Sequence, residues 1–450
     1  MNRAIFRQYD IRGVVDVDIN YEVVRTLGLG IGTYLGKQGC KKLTLGWDAR
    51  LSGPAYRDAI TEGLIATGID VVQLGMCATP MFYFSIHHLK SDGGVMITGS
   101  HNPPEFNGFK VNAGVDSVYG EGIQDIYRII EKGQFLSGKG KVTQYNIVPD
   151  YIAYLKKSVK LARPLKVALD SGNGTGGLAA PEIFRALGCQ VIELFSQPDG
   201  NFPHHHPDPT IPENIAELKK TVLTQKLDFG VAYDGDADRI GVIDDIGNII
   251  WGDQLMIIFA RSILKEHPGA AIIGEVKSSQ RLYDDIAKHG GKPIMWKTGH
   301  SLIKSKMKQE KALLAGEMSG HIFFKDRYFG YDDAIYASLR LAEIVSKGDR
   351  PLSSYLADLP QAFSTPEIRF ECPEEKKFEV VEKAVAYFKS AGYDVNDIDG
   401  VRLNVGDGWG LLRASNTQPV LVMRFEARTE ARLLEIRKLV EDKLNEFLKV

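Results

Sequence analysis

The chain has 450 residues, more than one hydrophobic core ordinarily supports, so about three domains are expected. Its 55 Lys and Arg nearly balance 57 Asp and Glu, and a formal net charge of -2 offers no general attraction to nucleic acid or to an anionic membrane. Four scattered cysteines, Cys40, Cys77, Cys189 and Cys372, make neither a CxxC pair nor a secreted-type framework, and neither a signal-peptide pattern nor a run of about 18 apolar residues occurs. The expectation is a soluble, cytoplasmic, monomeric protein.

In chain order, the first candidate is Tyr9-Asp10-Ile11-Arg12-Gly13, whose Arg12 can add positive charge to a site. A β-branched run, Leu43 to Leu45, then leads through Asp48 and Ser52 into an amphipathic stretch from Tyr56 to Ala66, past Gly68, and into Val71 to Leu74. That is the pattern of a βαβ unit. After the apolar run Gly94 to Ile97 comes Thr98-Gly99-Ser100-His101-Asn102-Pro103-Pro104, with Lys110 beyond it. Gly99 and the paired prolines hold this polar loop off a strand end, a common place for reactive side chains in α/β proteins. Ser100 is the candidate nucleophile; a serine hydrolase would carry GxSxG, and Asn102 stands where the second Gly belongs. His101 and Lys110 can support a phosphate on Ser100. In isolation such a loop is more often a plain turn.

A Gly-rich polar stretch, Lys132 to Lys141, separates this region from a second βαβ unit: Lys166 to Asp170, a Gly-rich crossing, a helix reaching Leu187, and Val191 to Leu194. His204-His205-His206 invites a zinc reading, but three adjacent imidazoles cannot converge on one ion with good geometry. Between two apparent strands, Phe229 to Val231 and Ile240 to Ile243, lies Asp234-Gly235-Asp236-Ala237-Asp238-Arg239. Three carboxylates at alternate positions converge only if the chain leaves extended geometry, a turn that Gly235 permits, and once converged they demand a cation. Oxygen-only ligands favour Mg²⁺ or Ca²⁺ over zinc, and Mg²⁺ is the usual partner of phosphoryl chemistry. An EF-hand fails on Arg239 at the sixth position and Asp245 at the twelfth.

The turn at Asp244 to Asn248 precedes a third βαβ unit, with strand Ala271 to Gly274, a helix capped by Ser278 or Ser279 and reaching His289, and strand Pro293 to Trp296. Gly316-Glu317-Met318-Ser319-Gly320-His321 then forms a hairpin whose carboxylate, hydroxyl and imidazole suit sugar hydroxyls. After Pro360 the texture changes to a strand at Ile368, a helix over Lys376 to Ala391, strands around Val401 to Arg413 and Val420 to Glu426, and a last helix from Glu430 to Leu448. Arg413-Ala414-Ser415-Asn416-Thr417 between those strands offers a guanidinium fork and short polar side chains, the makings of a phosphate nest.

Taken together, the FRQYDIRG, TGSHNPP, DGDADR, GEMSGH and RASNTQP segments resemble the signatures of the α-D-phosphohexomutase family, in the expected order over nearly the whole chain. Met318 is similar to the bacterial phosphomannomutase/phosphoglucomutase branch, where phosphoglucosamine mutases usually carry Gln. The resemblance implies an α/β fold of three tandem related α/β domains with mixed sheets, 1–145, 146–248 and 249–361, and a smaller α+β domain, 362–450, around a central cleft. It implies a phosphorylated Ser100 that moves a phosphoryl group between C1 and C6 of a hexose through a hexose 1,6-bisphosphate, with Mg²⁺ held by Ser100, Asp234, Asp236 and Asp238. Lys110 and Arg239 would stabilise charge, and His101, Lys110 or His321 would manage protons. Tyr9, Arg12, Lys277, His300, Glu317, Ser319, Arg413, Ser415, Asn416 and Thr417 would bind substrate, and a hinge near Pro360 would let the last domain close. A sugar phosphatase sharing the carboxylates is the rival reading.

Overall fold

The computed structural model describes residues 1–416 and 418–448. Three of its four sheets repeat one arrangement. In the first, Lys42–Trp47 lies between Asp70–Met76 and Gly93–Ile97, all parallel, and Phe106–Ala113 joins antiparallel to Gly93–Ile97. The second sheet places Lys166–Asp170 between Gln190–Leu194 and Phe229–Tyr233, again parallel, with Ile240–Asp244 antiparallel to the last. In the third, Ala271–Glu275 lies between Lys292–Trp296 and Leu314–Gly316, and Ile322–Phe324 runs antiparallel. The central strands Phe229–Tyr233 and Ala271–Glu275 are buried along their whole length, as parallel strands covered on both faces should be, which is why they read as unbroken apolar runs.

The expected crossover helices are present as Gly53–Ala66, Ala180–Ala186 and Gln280–Lys288. Of the two serines offered as cap for the last, Ser279 fills the position, its side chain accepting from Arg281 N. One expectation is corrected. The stretch Val401 to Arg413 is two strands, Val401–Asn404 and Gly408–Ala414, folded on each other around Gly406, whose φ is +83°. The Asp244 to Asn248 turn closes a hairpin within the second sheet, because Ile249–Ile250 pairs back onto Ile240–Asp244.

One core is shared by the first three domains, and the rest of the first domain packs around a cluster of its own. Helix Thr79–His88 of the first is buried from Thr79 to Ile86 among residues of the second and third. At that joint Asp333 caps helix Ala334–Lys347, accepting from Tyr336 N, from Tyr151 Oη on both oxygens at 2.9 Å, and from Tyr328 Oη at 2.6 Å. The fourth domain has a separate core under helices Lys377–Ser390 and Glu430–Leu448. It meets the third through Trp409 and Leu411 against Val276, and through Arg402, which donates to the Val276 and Ser278 carbonyls. Among the described residues no helix is long and apolar enough to cross a membrane.

Burial pushes the Asp333 carboxyl from 3.8 up to about 7, against the hydrogen bonds that favour its charged form. Between those two values the folded protein holds a proton that the unfolded chain has released, so raising the pH costs stability, on the order of 4 kcal/mol across the whole window. The wild-type thermal midpoint, measured against that of Asp333→Asn, is expected to fall as pH rises from about 5 to about 7. A difference that stays flat over that range contradicts the assignment.

Candidate active site

Hairpins deliver the chemistry. In each of the first three sheets the third parallel strand turns into its antiparallel neighbour, and the turns are 98–105, 234–239 and 317–321. A fourth hairpin, Gly408–Ala414 with Val420–Ala427, carries Ser415 and Asn416 at its tip.

The first two turns meet at Ser100, whose Oγ donates to Asp234 Oδ2 at 2.8 Å and lies 3.1 Å from His101 Nδ1. Ser100 itself holds a left-handed φ of +49°. In the acidic turn the left-handed residue is Ala237, at φ +57°, not Gly235 as expected from sequence. Gly235 is required for a different reason: a Cβ there would lie 2.6 Å from Ser100 O, so only glycine lets the two loops pack together.

Asp234, Asp236 and Asp238 are fully buried, with oxygens within 4.8 Å of one another. Burial and the charges of Asp238 and Asp236 push Asp234 well above the usual carboxylate range. Burial pushes Asp238 the same way, but Lys110 and His321 outweigh it and hold that carboxyl well below. Lys110 pairs with Asp238 and lies 3.2 Å from Asp236 Oδ2. Asp236 Oδ1 is buried with no hydrogen-bond partner among the described residues. A trio of oxygen donors with surplus negative charge and an orphaned oxygen can hold a metal ion, and its all-carboxylate character suits a hard divalent cation.

The third turn meets the second at Ile240, whose N–H donates to Gly320 O, and at an Arg239 to His321 bridge. His321 lies between two carboxylates, Nδ1 donating to Glu317 Oε2 at 2.6 Å and Nε2 3.2 Å from Asp238 Oδ1. Burial favours the neutral ring and Arg239 opposes its charge, yet Asp238 and Glu317 raise the imidazole to about 9. Glu317, despite burial, is lowered to about 2 by His321, Lys277 and the Gly299 N–H. Ser319 Oγ lies 3.3 Å from His321 Nδ1. Burial, reinforced by Lys304 and Lys110, holds His300 well below its usual value, and burial with Arg239 and Arg12 does the same to His101.

The remaining candidates form a rim. Arg12 donates to Asn102 Oδ1 at 2.8 Å, on the Ser100 turn. Lys277 pairs with Glu367 at 3.0 Å and Arg413 with Asp399 at 3.0 Å. Asn416 donates to Tyr9 Oη at 2.8 Å, and Tyr9 Oη donates to Thr298 O, so the first, third and fourth domains touch through one phenol. Ser415 is buried beside them; Thr417 lies outside the described residues. The histidine run stays apart: His205 pairs with Asp170 and His204 with Asn173, so neither ring is aimed at a shared ion.

Sequence reasoning missed the support behind Ser100. Buried Arg50 donates to the carbonyls of Ser100, Asn102, Pro103 and Phe106, fixing the whole turn. Asp48 accepts from Thr98 Oγ1 at 2.8 Å and from Gly99 N. Thr79 Oγ1 reaches across to Asp236 Oδ2 at 2.6 Å. An Asp and an Arg placed directly after a buried strand were the available signal.

Domain families described as phosphoglucomutase/phosphomannomutase α/β/α domains I, II and III match residues 3–137, 149–247 and 251–363, and the C-terminal domain of that family matches 367–443. The chain belongs to the phosphoglucomutase/phosphomannomutase family. It is 45% identical to a phosphomannomutase/phosphoglucomutase of Pseudomonas aeruginosa, covering 98% of this chain and 95% of the relative. It is 46% identical to a phosphoglucomutase of Neisseria gonorrhoeae, with 97% and 96% covered. A solved family structure from Burkholderia thailandensis superimposes with a TM-score of 0.94 at 41% identity, covering 99% and 98% of the two chains. The tandem α/β architecture and the family resemblance read from sequence are both borne out.

In this family member the close approach of Gly235 to Ser100 O ties the acidic turn to the Ser100 turn. Gly235→Ala is expected to lower turnover roughly 10-fold or more by parting nucleophile and carboxylates, with the fold retained. Steady-state kinetics beside circular dichroism check this, and unchanged turnover contradicts it.

Proposed function

We propose that the chain is a phosphomannomutase/phosphoglucomutase that interconverts hexose 1-phosphate and hexose 6-phosphate through phospho-Ser100 and a bound hexose 1,6-bisphosphate. The observation that carries this reading is Ser100 Oγ at 2.8 Å from Asp234 Oδ2, with Lys110, His101 and Arg239 around it. Asp234, Asp236, Asp238 and phosphorylated Ser100 would hold Mg²⁺, which would supply charge neutralisation for the transferring group.

A sugar hydroxyl attacks the phosphorus, the Oγ–P bond breaks, and the hydroxyl proton passes to Ser100 Oγ. His101 Nδ1, 3.1 Å from Ser100 Oγ, is placed to hand that proton over, and Lys110 and His321, both against Asp238, are the other candidates. Lys110 and Arg239 offset charge as it spreads over the phosphoryl oxygens. Glu317 and Ser319 orient sugar hydroxyls, with Lys277 and His300 beside the substrate. Arg413, Ser415 and Asn416, with Thr417, grip the phosphate that is not reacting, while Tyr9 and Arg12 close the rim. The bisphosphate then turns over and returns its other phosphate to Ser100.

Four free thiols among the described residues, Cys40, Cys77, Cys189 and Cys372, fit a reducing cytoplasm, and we take the working unit as a monomer with domain edges near 145, 248 and 361. Ser100→Ala is expected to lower conversion of glucose 1-phosphate or mannose 1-phosphate by orders of magnitude, assayed with Mg²⁺ and trace bisphosphate, with the fold intact. Near-wild-type turnover removes Ser100 from this role. Free phosphate outpacing hexose 6-phosphate identifies a phosphatase instead, and a preference for glucosamine 1-phosphate identifies a phosphoglucosamine mutase.

The grip on either phosphate in turn requires the fourth domain to release and re-close, and the segment around Pro360 that joins it to the third is the hinge. Small-angle scattering is expected to show compaction on adding saturating glucose 1-phosphate. An unchanged radius of gyration contradicts hinged closure.

A further inference from the structure

Asp332 lies at the back of the site, fully buried, and no segment singled out in the sequence contains it. Its Oδ1 accepts from Lys304 Nζ at 3.1 Å, and Lys304 in turn lies 3.1 Å from Tyr83 Oη and over the Tyr83 ring. This clamp spans two domains, Tyr83 coming from helix Thr79–His88 and Lys304 from helix His300–Glu310. The other oxygen, Oδ2, is aimed at His300 Nδ1 across 3.7 Å. Both atoms are buried, and neither has a hydrogen-bond partner among the described residues. A carboxylate oxygen and an imidazole nitrogen facing each other at 3.7 Å, neither with a hydrogen-bond partner among the described residues, are a pair placed to close. The Asp332 carboxylate also comes within 4.8 Å of ligand atoms of Asp238 and His321, so the pair borders the acidic trio without belonging to it.

We propose that Asp332 is a positioning residue that fixes His300 in the Nδ1–H tautomer and so commits its Nε2 to accept a hydrogen bond from a sugar hydroxyl. The logic is that of a second carboxylate behind a functional histidine: whichever nitrogen faces the anion carries the proton, and the other is left with a lone pair. Lys304 keeps Asp332 an acceptor by holding a positive charge on its first oxygen. The burial that disfavours an imidazolium at His300 is consistent with a neutral ring there. The proposal rests on the reading of His300 as a substrate contact, but its first test does not.

That test is a long-range ¹H–¹⁵N spectrum of the full chain labelled with ¹⁵N-histidine, without substrate, the His300 signals being assigned by their loss in His300→Gln. The expected result is Nδ1 protonated and Nε2 bare in the wild type. Asp332→Asn, whose amide can donate, is expected to reverse the tautomer. A wild-type ring protonated at Nε2, or an Asp332→Asn ring that keeps its proton on Nδ1, overturns the proposal whatever the catalytic outcome. Asp332→Asn and His300→Gln are each expected to lower kcat/KM for glucose 1-phosphate by roughly 10- to 100-fold, with the double variant no worse than the worse single. Losses that multiply in the double variant also overturn it. Should Asp332→Asn fail to fold, the wild-type tautomer alone still decides. The expected tautomer together with full activity in His300→Gln would instead refute the role of His300 in the proposed reaction.

Discussion

Asp234, Asp236 and Asp238 are buried side by side within one tight turn, and like charges at such spacing repel by roughly 3 kcal/mol per pair even in a well-screened protein interior. Within the turn the Asp238 and Arg239 N–H groups donate to Asp234 Oδ1 and offset part of that repulsion; further compensation is brought from elsewhere in the chain. Lys110 comes from the first sheet and His321 from the turn of the third, while Arg239 ends the acidic turn itself. The resulting charges differ along the trio. Asp238, between Lys110 and His321, is held ionised, whereas Asp234, facing Ser100, is driven toward the protonated form. The acidic turn thus draws much of its compensation from other domains, and the carboxylate driven furthest toward the protonated form is the one that touches Ser100.

The topology explains how four distant segments reach that point. Each of the first three sheets carries three parallel strands and then a reversal, and in all three the reversal holds the functional turn. Such turns lie off the carboxyl ends of parallel strands, where α/β sheets ordinarily offer ligands their backbone and side chains. One architectural position therefore supplies a hydroxyl in the first domain, carboxylates in the second and a carboxylate, hydroxyl and imidazole set in the third. Burying helix Thr79–His88 in a core shared by the three domains fixes these turns against one another, and Thr79 carries that rigidity directly to Asp236. The fourth domain, with its own core, is exempt from this constraint.

How much of this was legible in the sequence depended on whether a residue's role was local. The βαβ units could be read because buried parallel strands leave continuous apolar runs, and the acidic turn because three alternate carboxylates have few bland explanations. The pairing of Ser100 with Asp234 required the family resemblance, since 134 positions separate them. Gly235 was noticed for the wrong reason: its backbone freedom is not used, whereas its missing Cβ is, and a close approach between two loops leaves no trace in either one alone. Arg50 escaped because it acts on carbonyls, which every residue has, so its partners carry no pattern. Asp332 escaped because its partners, Lys304 and His300, become neighbours only through the helix that starts at His300.

The rim differs in kind from this fixed centre. Arg413 is paired with Asp399, which also accepts from Thr298 N at 2.9 Å, and Lys277 is paired with Glu367 and lies 3.6 Å from Glu275. Buried cations without partners would be costly, so these carboxylates keep them charged before any phosphate arrives. The same pairing weakens the net gain on binding, because each anion gripped displaces or shares an existing ion pair. For an enzyme that binds once and releases, this would be wasted affinity. Under the proposed reaction, in which a bisphosphate is held, turns and is held again by the other end, a clamp of moderate strength is the workable solution, since an interaction equally strong in every bound state speeds no step. Asn416 and Tyr9 fit the same reading: their hydrogen bond between the fourth domain and the first joins neutral groups, and such a contact opens at little cost.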